Sequence, residues 1–165
     1  MFAAKKNYHN ACARMLQNGA QIDCQSKNGL SPLIWASFMG HLPVVNTLLQ
    51  YSADSNLETQ HGSTALSFAA ESGHCRIITN LLKAKAVLNK ADHDGDTALH
   101  CAAYSGHLEA IILLHSKGAE LSVRNKSNQT PMDYAVERKH EEVIEYLIPL
   151  MDAHSGSDAL EQNGD

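Results

Sequence analysis

The apolar positions of this chain describe two short helices, and the pair returns every 33 residues. Within 29–56, Leu33 and Ala36 mark the inner face of a first helix predicted over 32–39. Val44, Val45, Leu48 and Leu49 form one stripe at helical spacing on a second helix, predicted from about Pro43 to Gln50. The stripe recurs as Ile77, Ile78, Leu81 and Leu82, and as Val143, Ile144, Leu147 and Ile148. First-helix positions recur as Leu33, Leu66, Leu99 and Met132, and as Ala36, Ala69, Ala102 and Ala135. The alanines let neighbouring helices approach closely. The polar punctuation keeps the same register. Gly29, Gly62, Gly95 and Asn128 predict tight turns. Ser31, Thr64, Thr97 and Thr130 stand where an N-cap belongs, twice followed by proline. His41, His74, His107 and His140 fall in the turn between the two helices. A fixed period of this size predicts a solenoid, in which each unit covers the apolar face of its neighbour.

The register also divides the chain. Lys5-Lys6-Asn7-Tyr8 falls on Phe38-Met39-Gly40-His41, so the chain opens inside a first helix. The expected organisation is one domain over 1–151, with a partial unit at 1–25 and full units at 26–58, 59–91, 92–124 and 125–151. An acidic, flexible tail is expected at 152–165. The run Glu137-Arg138-Lys139-His140-Glu141-Glu142 gives the last unit the solvated outer face that a terminal repeat needs. Either a degenerate N-terminal cap begins here or the chain is a piece of a longer protein, and the uncovered apolar start Met1-Phe2-Ala3-Ala4 favours the second. The stack is expected to be weakest at Lys85 and His115. Lys85 stands where a left-handed glycine would follow the second helix, and His115 replaces the leucine found at Leu49 and Leu82.

The segment Asp94-Gly95-Asp96-Thr97-Ala98-Leu99-His100-Cys101-Ala102-Ala103, continued by Gly106-His107-Leu108-Glu109, resembles the ankyrin repeat. The resemblance runs from about residue 3 to 148 and rests on several motifs in register. It implies an all-α ankyrin-repeat solenoid of β-turn and helix-loop-helix units. It also implies that ligands meet the turn tips and the exposed side of the first helices. The histidine slot departs from the pattern, holding Ile34, Ser67, His100 and Asp133.

Composition narrows the function. The formal net charge is −5, and removing Asp152, Asp158, Glu161 and Asp165 of the tail takes it to −1. A near-neutral body without a basic run argues against nucleic acid. No stretch approaches the ~18 consecutive apolar residues of a membrane span. Cys12, Cys24, Cys75 and Cys101 form no CxxC pair. Cys12 and Cys75 take the places of Val45 and Leu42, as small apolar substitutes in an intracellular protein of cytoplasm or nucleus. The spacing of the four turn histidines is set by the repeat and not by metal coordination. Asp92-His93-Asp94-Gly95-Asp96 lacks the glycine and glutamate placement of an EF-hand calcium loop, and is expected to be a solvated tip. No nucleophile elbow, phosphate loop or convergent catalytic set is visible, so neither enzyme activity nor a cofactor or metal is expected.

What remains is binding. The candidate partner-contacting residues are Leu30, Trp35, Phe38, Met39, His61, Glu71, His93, Asp94, Asp96, Tyr104 and Arg138. Trp35, Phe38 and Met39 lie at i, i+3 and i+4, on a stripe away from Leu33 and Ala36. That stripe either packs against the adjacent repeat or presents an apolar anchor in a groove. The groove would be basic at its start, apolar in the middle and acidic or mixed towards its end. The chain is expected to be a monomer that binds another protein, or a peptide segment of one, on its concave surface. The alternatives are a short inhibitor covering a partner enzyme, an adaptor domain of a larger protein, and a structural spacer.

Overall fold

A computed structural model describes residues 1–155. Among the described residues, ten helices alternate short and long: α1 (Phe2–Lys5), α2 (His9–Gln17), α3 (Pro32–Phe38), α4 (Leu42–Gln50), α5 (Ala65–Glu71), α6 (Cys75–Lys83), α7 (Ala98–Ser105), α8 (Leu108–Ser116), α9 (Pro131–Arg138) and α10 (Glu141–Ser155). No strand occurs among the described residues. The odd-numbered helices form one layer, α3 on α5, α5 on α7 and α7 on α9. The even-numbered helices form the second, α2 on α4, α4 on α6 and α6 on α8. Leu33, Leu66 and Leu99, and Val45, Leu48, Ile78, Leu81, Ile111, Leu114 and Leu147, fill the space between the layers and are essentially inaccessible. Ala36, Ala69, Ala102 and Ala135 are fully buried where first helices meet, as close approach requires.

Capping follows the sequence signals. The Ser31 hydroxyl accepts from the Ile34 amide and the Thr130 hydroxyl from the Asp133 amide, each at 3.2 Å. Each of these groups satisfies a backbone donor that the helix itself leaves open.

The glycine–histidine pairs are explained by the next repeat. A Cβ at Gly40 would sit 2.7 Å from the His74 ring, one at Gly73 2.7 Å from His107, and one at Gly106 2.5 Å from His140. All three glycines are left-handed. Each leaves the space in which the following imidazole sits. His74 Nε2 then donates to the Phe38 carbonyl at 3.2 Å, and His140 Nε2 to the Tyr104 carbonyl at 2.9 Å. The histidine thus closes the exposed end of the preceding repeat's first helix.

Lys85 and Ser52 take the left-handed conformation, at φ 67° and 64°. His115 differs from expectation. Its Nδ1 lies 3.0 Å from the Tyr146 hydroxyl and its ring meets Tyr146 edge-on, so the polar substitution has a partner in the next repeat. The last helix also departs from the expected boundary at 152. It continues through Pro149 to Ser155, and the rest of the tail lies outside the described residues.

Candidate functional site

Two surfaces converge where the first helices meet the turns. The turns form a ribbon of backbone hydrogen bonds from repeat to repeat. The Gln60 amide donates to the Asn28 carbonyl at 3.1 Å, His93 to His61 at 2.8 Å, and Lys126 to Asp94 at 2.9 Å. Each hairpin is closed by a side chain at its first position. Thr59 Oγ1 accepts from the Ser63 amide, Asp92 Oδ1 from the Asp94 and Asp96 amides, and Asn125 Oδ1 from the Ser127 and Gln129 amides. His61, His93 and Asp94 stand exposed along this ribbon. Asp92 is therefore the turn's own acceptor, and the three neighbouring aspartates do separate work.

Asp96 is not a free tip residue. Its Oδ2 accepts from the Tyr134 hydroxyl at 2.9 Å and its Oδ1 from the Asn125 side-chain amide at 2.7 Å. These bonds tie the turn of one repeat to the first helix and turn of the next. Burial and the adjoining Asp96 carboxylate push the Tyr134 phenol up to about 12. Leu30 is likewise withdrawn, half-buried against the core.

The exposed ends of the first helices carry the aromatic residues. Phe38 and Met39 are 40% and 45% exposed at the end of α3. The Phe38 ring meets Phe68 edge-on at 5.7 Å and Trp35 at 6.4 Å. Trp35 is half-buried, with the Lys5 ammonium 4.6 Å above its ring. Trp35 is the most buried of the three, while Phe38 and Met39 face solvent. Further along, Tyr104 is 42% exposed, meets Tyr134 edge-on at 5.6 Å and lies under the Arg138 guanidinium at 4.0 Å.

Between the two surfaces lies a pocket of about 240 Å³, lined by Ser63, Glu71, Asp92, Asp96, Cys101, Tyr104 and Tyr134. Partial burial raises the Glu71 carboxyl above the usual range. Burial, reinforced by the charges of Asp96, Glu71 and Asp92, holds the Cys101 thiol well above its ordinary value. Of the candidate residues, Glu71, Asp96 and Tyr104 come together here. Phe38 links Trp35 to Phe68 by edge-on contacts, apart from that pocket. Phe68, Cys101 and Tyr134 were missed, yet they are the register equivalents of Trp35, each 33 residues on. No group of three or more side chains suited to a metal occurs among the described residues.

The family model described as ankyrin repeats (3 copies) matches residues 1–92 and 83–159. The chain belongs to the ankyrin-repeat family. Ankyrin repeats generally serve as protein–protein interaction modules, and the family is typically non-enzymatic. No curated protein matches the chain. No helix among the described residues is long and apolar enough to cross a membrane.

Proposed function

We propose that this ankyrin stack is a non-catalytic binding module that receives a segment of a partner protein along its first-helix ends and turn tips. The observation that supports this most is the pair of large apolar side chains, Phe38 and Met39, left exposed beside a half-buried aromatic cluster. Aromatic and methionine side chains on a rigid surface are the usual anchors of an interface. The repeats hold that surface in place before the partner arrives, so little ordering cost is added on association. Apolar side chains of the partner cover Phe38 and Met39. The exposed tips His61, His93 and Asp94 supply polar contacts that select among partners, with Tyr104 and Arg138 at the far end.

The test is affinity capture from native extract with the chain and with Phe38→Ala/Met39→Ala. Both side chains are partly exposed, so this variant is expected to stay folded, with an unfolding free energy lower than the parent's by about 1–3 kcal/mol for the lost aromatic contacts. Its specific partner is expected to be lost or weakened at least tenfold. Retention of the same partner at the same affinity would refute the anchor role.

A further inference from the structure

The groove read above as a protein-binding surface has one end whose charge is uncompensated. Glu71, Asp92 and Asp96 line one pocket of about 240 Å³ together with Tyr104 and Tyr134. Among the described residues, the sole Lys or Arg ion pair joins Lys90 to Glu58, outside this pocket. Arg138 lies over the Tyr104 ring at 4.0 Å. The acceptors are unequally used. Asp96 gives both oxygens to Tyr134 and Asn125, and Asp92 gives Oδ1 to two turn amides. Asp92 Oδ2 and both Glu71 oxygens accept no hydrogen bond among the described residues. Phe38, which meets Phe68 edge-on, ends α3, the first helix one repeat before α5 with its Glu71.

We propose that the partner segment carries a cationic side chain, arginine by preference, that enters this pocket while a neighbouring apolar side chain covers Phe38 and Met39. This rests on the groove reading and adds the partner's chemistry to it. A guanidinium is flat and offers donors to two carboxylates at once, which an ammonium does less well. Packed helices stand about 8–10 Å apart, and the pocket begins one such step from Phe38, at Glu71 on α5, and is centred two steps away, at Tyr104 on α7. An extended chain advances about 3.3 Å per residue, which places the cation about three to six residues from the apolar anchor. The partner is therefore a basic–apolar peptide segment.

The experiment is selection of a displayed random 12-residue peptide library on the full chain, followed by titration of the enriched peptides. A parallel selection uses Glu71→Gln/Asp92→Asn. Asn125 already plays the Asp92 part in its own turn, so that variant keeps the hairpin and removes two charges. Enriched peptides are expected to carry Arg, or less often Lys, about three to six residues from Leu, Phe or Met. Replacing that Arg by Gln, or the chain by the double variant, is expected to weaken binding at least tenfold and to flatten its salt dependence. Enrichment of peptides without a basic residue, still lost with Phe38→Ala/Met39→Ala, would overturn the cationic subsite and leave the groove standing. Enriched peptides indifferent to Phe38→Ala/Met39→Ala, or no enrichment at all, would overturn the groove reading and this inference with it.

Discussion

The same slot is filled by Ile34 in one half of the stack and by His100 in the other, and the two halves hold together differently. Ile34 is fully buried and acts through packing alone. His100 is as deeply buried, but its Nδ1 accepts from the Thr97 amide at 3.2 Å and its Nε2 lies 3.2 Å from the Gln129 carbonyl of the next repeat. Around it, Tyr134, Asp96 and Asn125 add a second polar tie between the same two repeats. In the N-terminal half the side-chain ties between turns run to backbone carbonyls, Gln25 Nε2 to Glu58 and Gln60 Nε2 to Lys27, and the Ser37 hydroxyl is buried with no partner among the described residues. One backbone plan thus accepts either solution, and in the apolar half it tolerates one buried hydroxyl without a bond. The apolar half can leave hydrophobic side chains at the rim, and the polar half concentrates charge there.

Both halves share the glycine–histidine seam, so the largest effect is expected at that seam. Gly106→Ala forces a Cβ against His140 on a left-handed backbone, and is expected to cost roughly 3 kcal/mol in denaturant unfolding. Gly118→Ala, left-handed but with open space around it, is expected to cost only about 1–2 kcal/mol. Equal losses would show that the ring contact is unimportant.

His100→Leu strikes at the difference itself. It leaves the Thr97 amide without its acceptor, at a cost of about 1–3 kcal/mol. Burial lowers the affinity of His100 for a proton, so below its ordinary value of 6.5 the unfolded chain takes up the proton first. The stability that His100 contributes is therefore complete above that pH and is lost as the pH falls below it. Denaturation of parent and variant from pH 7.5 to pH 5 should show the gap between them narrowing on acidification. A constant gap would mean that the imidazole does not change its protonation.

Smaller changes sharpen the contrast in the apolar half. The register equivalents of Ser37 in the next two repeats are Ala70 and Ala103, both fully buried. Ser37→Ala removes an unpaired hydroxyl and is expected to stabilise by about 1 kcal/mol, read as a raised denaturation midpoint. Lys85→Gly relieves a left-handed side chain, offset by greater freedom in the unfolded chain, for a net gain of about 0.5 kcal/mol.

The repeat pattern was legible because packing enforces it in every unit. The period placed α3 and α4 to within a residue, since Ser31-Pro32 and Gly40-His41 fix where the chain can start and stop a helix. The site was less legible for a physical reason. Groove positions are free to vary, so no single column carries a motif. Tyr134 and Phe68 could have been found by following the Trp35 column through the register. The withdrawal of Asp96 could not, because it depends on Asn125 and Tyr134 arriving from the next repeat. His115 looked like a defect for the same reason, its partner Tyr146 lying 31 residues away.

The measurement closest to the central claim is a set of amide and methyl NMR spectra of the full chain, recorded with and without an enriched peptide. The largest shifts are predicted at Phe38, Met39, Glu71 and Tyr104, with Ile112 and Ile148, exposed on the second helices, left unmoved. Shifts concentrated at Ile112 and Ile148, with Phe38 and Met39 silent, would place binding on the other layer and contradict the account.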